Sequence, residues 1–337
     1  MQDSFFDSTE KLLSEVSSPA AIRKIEHGGD TQAMWSSLEA SGFVDALVPE
    51  SKGGAGLALA DIGSVLFSIG RHVVPLPFAH SILARAWLND AGLTTPKGAL
   101  TFAPFQVDKS GEGITARAVS FGKTADWVLA QKNEDIWLLP VADATVATSG
   151  GYGSLDADLH WPAEVGKRSA IGRWSTDQFQ HLLALSMAAM IAGVADRVYE
   201  MTLTYANQRV QFGKPIGKFQ ALQQQISEMA EQVFGARMAV QMACQSNSWR
   251  PLPALAAMAK AQTSQAVARV ASTAHAVHGA IGVTAEYDLQ LYTRRLNEWA
   301  RLGGGYGYWA HKLGASVLQC DRSVLDYVRL DLFGEPV

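Results

Sequence analysis

The stretch RVQFGKPIGKFQALQQQ, Arg209 to Gln225, separates two long helical patterns. Gly213 and Pro215 are ordinary signals for the end of a helix. The same break also carries an arginine, a glutamine and a phenylalanine, which a simple turn does not need. These three side chains, Arg209, Gln211 and Phe212, are therefore the first candidates for contact with a ligand.

Helical periodicity extends on both sides of this break. Apolar residues recur at helical spacing over residues 175–208 and 219–245, and again over 254–277 and 289–302. Ser175 and Gln178 have the spacing of a capping box, which marks a helix start. Four long antiparallel helices predict a four-helix bundle over residues 171–337.

The preceding residues divide into two regions. Residues 1–95 show helical spacing with one glycine-rich loop, whereas residues 96–170 contain short β-branched and aromatic runs: ALTFAPF, ITARAVSF, ADWVLAQ and DIWLLPV. The predicted fold class is thus α+β and multidomain. An N-terminal helical domain precedes a small antiparallel β domain and the C-terminal bundle.

Composition excludes several classes of protein. The 337 residues are 48% hydrophobic and 18% charged, as expected of a globular chain. The net charge of -4 and the absence of a basic block give no electrostatic reason to bind nucleic acid. Acids lie near the N-terminus where a signal peptide needs bases, and no apolar run reaches about 18 residues. We expect a soluble cytoplasmic protein without a membrane partner, with Cys244 and Cys320 as buried thiols.

Three motifs resemble those of the acyl-CoA dehydrogenase superfamily. YANQRVQFGKPIGKFQALQ, which contains the break, is similar to the signature between the first two bundle helices. HAVHGAIGVTAEYDLQLYTRR resembles the signature between the third and fourth, and ALVPESKGGAGLALADI resembles an N-terminal loop. The three motifs have the order and spacing of the family and are spread over most of the chain.

The resemblance implies that the break reaches across a subunit interface to the FAD of a neighbour. Arg209 would then pair with the pyrophosphate, since a guanidinium matches phosphate oxygens. Glycines of the second signature would let the backbone approach the nucleotide closely. The implied FAD-binding residues are Arg209, Gln211, Phe212, Phe219, Gln220, Gly279 and Gly282. Ala276 replaces the glutamine that the family usually has before the His-Gly pair.

The implied chemistry needs a glutamate base that takes a proton from the α-carbon of the acyl-CoA substrate. Its two family positions match Gly303 and Leu183, and neither residue can accept a proton. The loop that cradles the flavin ring and the Trp-Ile-Thr segment are also missing between residues 101 and 170, and Ala184 replaces an arginine.

Other titratable residues near these positions are candidate bases with ordinary structural explanations. Asp177 suits the first turn of a helix, and Asp288 suits an N-cap. Glu298 is expected to form a surface pair with Arg294 or Arg295. His181 is the most plausible replacement, although a lone histidine on an apolar face is more often a core residue. The remaining candidate is Glu286.

These features predict a catalytically degenerate subunit that pairs with a full-length paralogue, as in heteromeric dehydrogenases of steroid-type CoA thioesters. Electron-transfer flavoprotein is a candidate acceptor. The alternatives are a self-sufficient homo-oligomeric dehydrogenase with a relocated base, a flavin monooxygenase, and a non-catalytic interaction subunit. Residues 182–195 and 254–277 are apolar or alanine-rich beyond what a bundle core needs, so we expect them to form the subunit contact.

Overall fold

A computed structural model describes residues 4–104, 106–107 and 113–334 of the chain. Helices precede two small sheets, and a helical bundle follows, so the predicted α+β class is confirmed. The N-terminal helices are α1 (Ser4–Val16), α2 (Pro19–Glu26), α3 (Gln32–Ala40), α4 (Leu59–Arg71) and α5 (Phe78–Asp90). The glycine-rich loop between α3 and α4 is tight, because a Cβ on Gly54 would lie 2.1 Å from the Val48 carbonyl oxygen.

The middle region forms two four-stranded sheets rather than one. Its strands are β1 (Leu100–Pro104), β2 (Gln106–Val107), β3 (Gly113–Val119), β4 (Trp127–Lys132), β5 (Asp135–Pro140), β6 (Thr145–Thr148), β7 (Ala157–Pro162) and β8 (Ala170–Arg173), with helix α6 (Ala163–Ser169) before β8. The strand orders are β1-β4-β5-β8 and β2-β3-β7-β6.

Strand direction departs from the prediction at one pair. β1 and β4 run parallel, whereas the other described pairs of these sheets are antiparallel. A parallel pair needs a crossover, and β2 and β3 of the other sheet supply it between β1 and β4. Phe105, the last residue of the predicted run ALTFAPF, lies outside the described residues.

The C-terminal region contains the predicted long helices. They are α7 (Thr176–Gln208), α8 (Gln220–Ala243), α9 (Pro253–His278) and α10 (Leu289–Trp299), followed by α11 (Tyr306–Leu318), α12 (Val324–Asp326) and a π-helical turn (Tyr327–Leu332). Ser175 is the N-cap of α7, but its side chain makes no capping bond, and the Gln178 side chain accepts from the Trp174 indole rather than completing a capping box. The domain limits 1–95, 96–170 and 171–337 stay predictions, and β8 continues to Arg173.

Helix α4 covers the apolar face of α7. Gly70 and Gly193 allow the two backbones to touch, since a Cβ on Gly193 would lie 1.9 Å from the Phe67 carbonyl oxygen. Residues 182–195 are consequently buried within the chain, and α9 exposes mainly polar or alanine positions. The prediction that residues 182–195 form a subunit contact is therefore wrong, whereas for residues 254–277 it stays a prediction.

Helix α7 is also long and apolar enough to cross a membrane by length and composition, but most of it is buried, as in a core helix. Of the two cysteines, Cys244 is buried as expected, whereas Cys320 is only half-buried.

Candidate functional site

The break in the bundle is a hairpin at the end of α7. Strands β9 (Val210–Gln211) and β10 (Lys214–Pro215) pair antiparallel across a two-residue turn. Both turn residues are left-handed, with φ of 52° at Phe212 and 78° at Gly213. This geometry favours glycine and disfavours an aromatic side chain. Phe212 is nevertheless held there with 91% of its surface exposed.

The hairpin base is anchored beside the second signature. Ala206, Ile216, Ile226 and Val277 form one apolar cluster. The Tyr205 ring stacks on His278 with centroids 4.4 Å apart, and His278 ends helix α9. The two segments that resemble family signatures therefore lie at the same end of the bundle.

The implied FAD-binding residues of the hairpin point to solvent. Arg209 lies at the end of α7, where its backbone N–H bonds to Tyr205 O at 2.8 Å, and its exposed guanidinium has no carboxylate partner in the described part of the chain. Gln211 and Gln220 are exposed. Phe219 is half-buried, with its ring centroid 6.1 Å from that of Phe212.

The glycines of the second signature differ from each other. Gly279 has φ 65° and open space where a Cβ would be, so another group can approach its backbone. Gly282 is buried, and a Cβ there would lie 3.0 Å from Leu289. Nearby, His275 Nδ1 and His278 Nε2 are buried without a hydrogen-bond partner.

A cavity of about 480 Å³ lies between the sheets and the bundle. We call it the sheet–bundle cavity. Leu183 of α7 and Gly303 both line it, and a Cβ on Gly303 would lie 3.0 Å from Leu183 Cγ. The two positions to which the resemblance assigns the base are thus neighbours in this chain. None of the described residues that line this cavity carries a carboxylate.

The Gly303 loop is shaped around glycine. Gly303 and Gly304 have φ of 65° and 92°, and a Cβ on Gly304 would lie 2.6 Å from the Tyr308 ring. Trp309 Nε1 donates to Gly303 O at 2.9 Å. Buried Lys260 donates to Trp299 O and Ala300 O, both at 3.0 Å, and so fixes the end of α10 before the loop. The loop is held in a conformation that disfavours any side chain at residue 303.

Most of the candidate replacement bases have other partners. Asp177 pairs with Lys312 at 3.1 Å, and Asp288 pairs with Arg23 at 2.7 Å without capping α10 through its side chain. His181 is buried, its Nδ1 bonds to Asp177 O, and burial lowers its pKa. Glu286 is exposed. None of these residues lines the sheet–bundle cavity.

Glu298 is not the surface residue that the sequence predicts. Its side chain is only 15% exposed and accepts from Arg295 at 2.7 Å, and Arg295 in turn binds Glu26 of α2 at 2.7 Å. The pairing with Arg295 is correct, but it is buried because the N-terminal region covers α10.

Glu298 also contacts a buried carboxyl group that sequence reasoning missed. Asp156 is hydrogen-bonded to Glu298, and burial, reinforced by the Glu298 charge, raises the pKa of Asp156 to about 8. Both residues line a second cavity of about 960 Å³, which we call the loop cavity. The two cavities share Ala118, Arg301 and Leu302. No local pattern identifies Asp156, since burial by a distant helix creates its environment.

Comparison with known proteins places this geometry in a family. The family model described as "Acyl-CoA dehydrogenase, C-terminal domain" matches residues 176–306. The acyl-CoA dehydrogenase IpdE2 of Mycolicibacterium smegmatis is 31% identical over 306 residues, which cover 87% of this chain and 91% of that protein. The chain belongs to the acyl-CoA dehydrogenase family. This family consists of FAD-dependent oxidoreductases, as the resemblance of the motifs implies.

Solved structures show the same fold. A chain of the ChsE4-ChsE5 complex from Mycobacterium tuberculosis superimposes with a TM-score of 0.79 at 23% identity, covering 96% of this chain and 99% of that one. A structure described as the Tcur3481-Tcur3483 steroid ACAD G363A variant also gives 0.79, at 21% identity and with 94% and 97% covered. The acyl-CoA dehydrogenase fold therefore extends over nearly the whole chain.

Proposed function

We propose that this chain is a subunit of an FAD-dependent acyl-CoA dehydrogenase and supplies half of an FAD site to a catalytic paralogue. One observation carries the proposal. Arg209, Gln211 and Phe212 are presented to solvent on a strained hairpin and line neither the sheet–bundle cavity nor the loop cavity. Side chains in this position suit a cofactor that is held largely by another chain.

The residues present fit the phosphate and sugar portions of FAD. Arg209 offers an unpaired cation, and Gly279 leaves its backbone open to close approach. The unpartnered nitrogens of His275 and His278 offer further hydrogen-bonding groups at the same end of the bundle. Gln211, Phe212, Phe219, Gln220 and Gly282 complete the proposed set. When bound, FAD accepts the hydride that leaves the β-carbon during α,β-dehydrogenation of a CoA thioester.

The catalytic base would come from the partner. Leu183 and Gly303 occupy both base positions in this chain, and the described lining of the sheet–bundle cavity carries no carboxylate to replace them. The work of this chain would be to bind and orient the cofactor rather than to move the proton.

The solved relatives support a heteromer. One is a complex of two differently named proteins, and the other is described as a steroid ACAD. We therefore infer a full-length paralogue as partner and a CoA thioester of a bulky substrate such as a steroid side chain. Homo-oligomerisation is the alternative assembly. A cytoplasmic location and electron-transfer flavoprotein as acceptor complete the proposal.

The loop cavity favours one other candidate function, a self-sufficient dehydrogenase with a relocated base. Asp156 is a carboxyl group with a raised pKa beside Arg301 and Leu302, which also line the sheet–bundle cavity. In that case the purified single chain would retain FAD and turn over acyl-CoA, and Asp156→Asn would abolish turnover.

Flavin content tests the shared site. The chain should be co-expressed with its paralogue and the complex dialysed before its flavin absorbance is measured. Arg209→Ala should lower FAD affinity roughly ten- to hundredfold, because a charge-assisted bond contributes about 1.5–3 kcal/mol. Arg329→Ala is the matched control, since Arg329 is also exposed and lacks a carboxylate partner in the described chain. Equal flavin retention by both variants would contradict the proposal.

A further inference from the structure

The arginines of this chain fall into two groups. Most are neutralised by carboxylates of the fold: the pairs include Arg71 with Asp196, Arg85 with Asp45 and Arg294 with Glu26. Arg117 and Arg301 have no carboxylate within 4.0 Å among the described residues, and the same is true of Lys132.

These three cations line the same cavity. Arg117 extends from β3, Lys132 ends β4 and Arg301 follows α10, and all of them line the sheet–bundle cavity. No acidic residue is among the described residues of its lining. Arg117 and Arg301 are exposed and Lys132 is half-buried, so solvent screens their mutual repulsion. Three like charges around about 480 Å³ nevertheless make the local potential positive and favour an anion there.

The neighbouring loop cavity does not have the same excess of unpaired positive charge. Arg294 and Arg295 line the loop cavity, and Glu26 and Glu298 neutralise both of them. Arg301 lies on the shared wall, yet its guanidinium has no partner in the described part of the chain. The unpaired cations Arg117, Lys132 and Arg301 all line the sheet–bundle cavity, and Arg301 also lines the loop cavity.

The rest of the lining suits the carbon chain of an acyl group. Phe102, Phe179 and Met187 supply apolar surface, and Leu183 and Gly303 lie where the reacting carbons of a thioester would be in the family. The cavity is too small for a whole CoA thioester, so the group inside it would be the acyl end rather than the nucleotide.

We propose that the sheet–bundle cavity binds the acyl end of a CoA thioester that carries a second carboxylate, with Arg117, Lys132 and Arg301 receiving that carboxylate. The thioester part of this inference rests on the proposed function. The carboxylate part rests on the unpaired cations. Because neither Leu183 nor Gly303 can take a proton, this chain binds the group without transforming it.

Binding can be measured without turnover. Glutaryl-CoA and pentanoyl-CoA have acyl chains of equal length that end in a carboxylate and a methyl group, respectively. Isothermal titration calorimetry of the full chain should show glutaryl-CoA binding at least about tenfold more tightly, as expected for one charge-assisted contact. Arg301→Gln and Arg117→Gln should each remove most of that preference, and Arg329→Gln should leave it unchanged.

Three results would overturn the inference. Equal affinity for both thioesters would show that the cavity does not recognise a second carboxylate. An equal loss for both thioesters in Arg301→Gln would assign this cation to the phosphates of CoA. A loss of flavin from the Arg301→Gln complex, with the preference intact, would assign it to FAD. The flavin content of the Arg209→Ala complex reports separately on the proposed function, so the two ideas can fail independently.

Discussion

The hairpin and the sheet–bundle cavity are built in opposite ways. At the hairpin, a left-handed aromatic residue is largely exposed to solvent, and Arg209 has no carboxylate partner among the described residues. At the Gly303 loop of the cavity, glycines occupy the left-handed positions, and Leu183 fills the space next to Gly303. In the hairpin, a residue with a large side chain has a strained left-handed backbone. In the Gly303 loop, the left-handed residues are glycines, which have no side chain and therefore little strain.

This difference supports the proposed shared cofactor site. Strain in a folded chain persists only where the surroundings enforce it, and it is common at functional sites. The Phe212 turn has such strain, and its largely exposed ring meets Phe219 edge-on. The Gly303 loop has the packing, through Trp309 and Lys260, but no reactive group. The comparison favours a chain that contributes to a shared cofactor site and not to its own chemistry.

The largest expected effect is on turnover. The purified single chain should dehydrogenate acyl-CoAs at least about 10²–10⁴-fold more slowly than a full-length relative, because that is the usual cost of losing a general base. Reduction of an artificial electron acceptor, with added FAD and a series of acyl-CoAs, measures it. Turnover at the rate of the relative would show that the cavity is catalytic and would contradict the contrast between it and the hairpin.

The buried Asp156–Glu298 contact should make stability depend on pH. The folded-state pKa of Asp156, about 8, lies above its ordinary value of 3.8, so the folded chain holds a proton that the unfolded chain releases. Stability from this group is present below about pH 4 and is lost as pH rises towards 8, with a slope of at most about 1.4 kcal/mol per pH unit.

Asp156→Asn should remove this dependence and raise the melting temperature at pH 8 more than at pH 5. Thermal unfolding at both values, with the exposed Asp321→Asn as control, provides the measurement. If Asp156→Asn instead abolished turnover in an active single chain, Asp156 would be the relocated base.

The glycine loop should resist a side chain. Gly303→Ala forces an L-residue into φ 65° and against Leu183, at a cost of about 1–3 kcal/mol. Gly307→Ala is the matched control, because Gly307 is in helix α11 with open space around its Cβ, where alanine should stabilise by about 0.5–1 kcal/mol. Urea unfolding midpoints compare the two. A Gly303→Ala variant as stable as Gly307→Ala would show that a glutamate could be restored there without strain.

The sequence could predict secondary-structure elements and motifs, but not which distant segments pack on them. Helical periodicity predicts α7 within one residue of its start, and the structure brings the two signatures together through Tyr205 and His278. Periodicity shows which face of a helix is apolar, but not which distant segment packs on it. The α7 face was therefore assigned to a partner, although α4 covers it through Gly70 and Gly193.

The same limit applies to charge. Glu298 has the spacing of an exposed helical pair, and residues far away in the sequence, Glu26, Ser154 and Asp156, make it part of a buried network. The unpaired cations were also missed, although Arg301 is only two residues from Gly303. Recognising them requires knowing which arginines lack a carboxylate, and that depends on the three-dimensional fold.

The smallest expected change in stability is at Phe212, and it tests the hairpin side of the comparison directly. Phe212→Asn places a residue that tolerates the left-handed region at φ 52°, while it removes the ring that lies edge-on to Phe219. Relief of strain and loss of the ring contact should nearly cancel, so we expect the free energy of unfolding of the isolated chain to change by less than about 1 kcal/mol. Phe212→Ala, which loses the ring but keeps the strain, should be the less stable of the two. Both variants should retain less FAD than the wild type when assembled with the paralogue, because the exposed ring no longer packs near the cofactor. Full flavin retention together with a large loss of stability in both would mean that Phe212 serves the fold of its own chain.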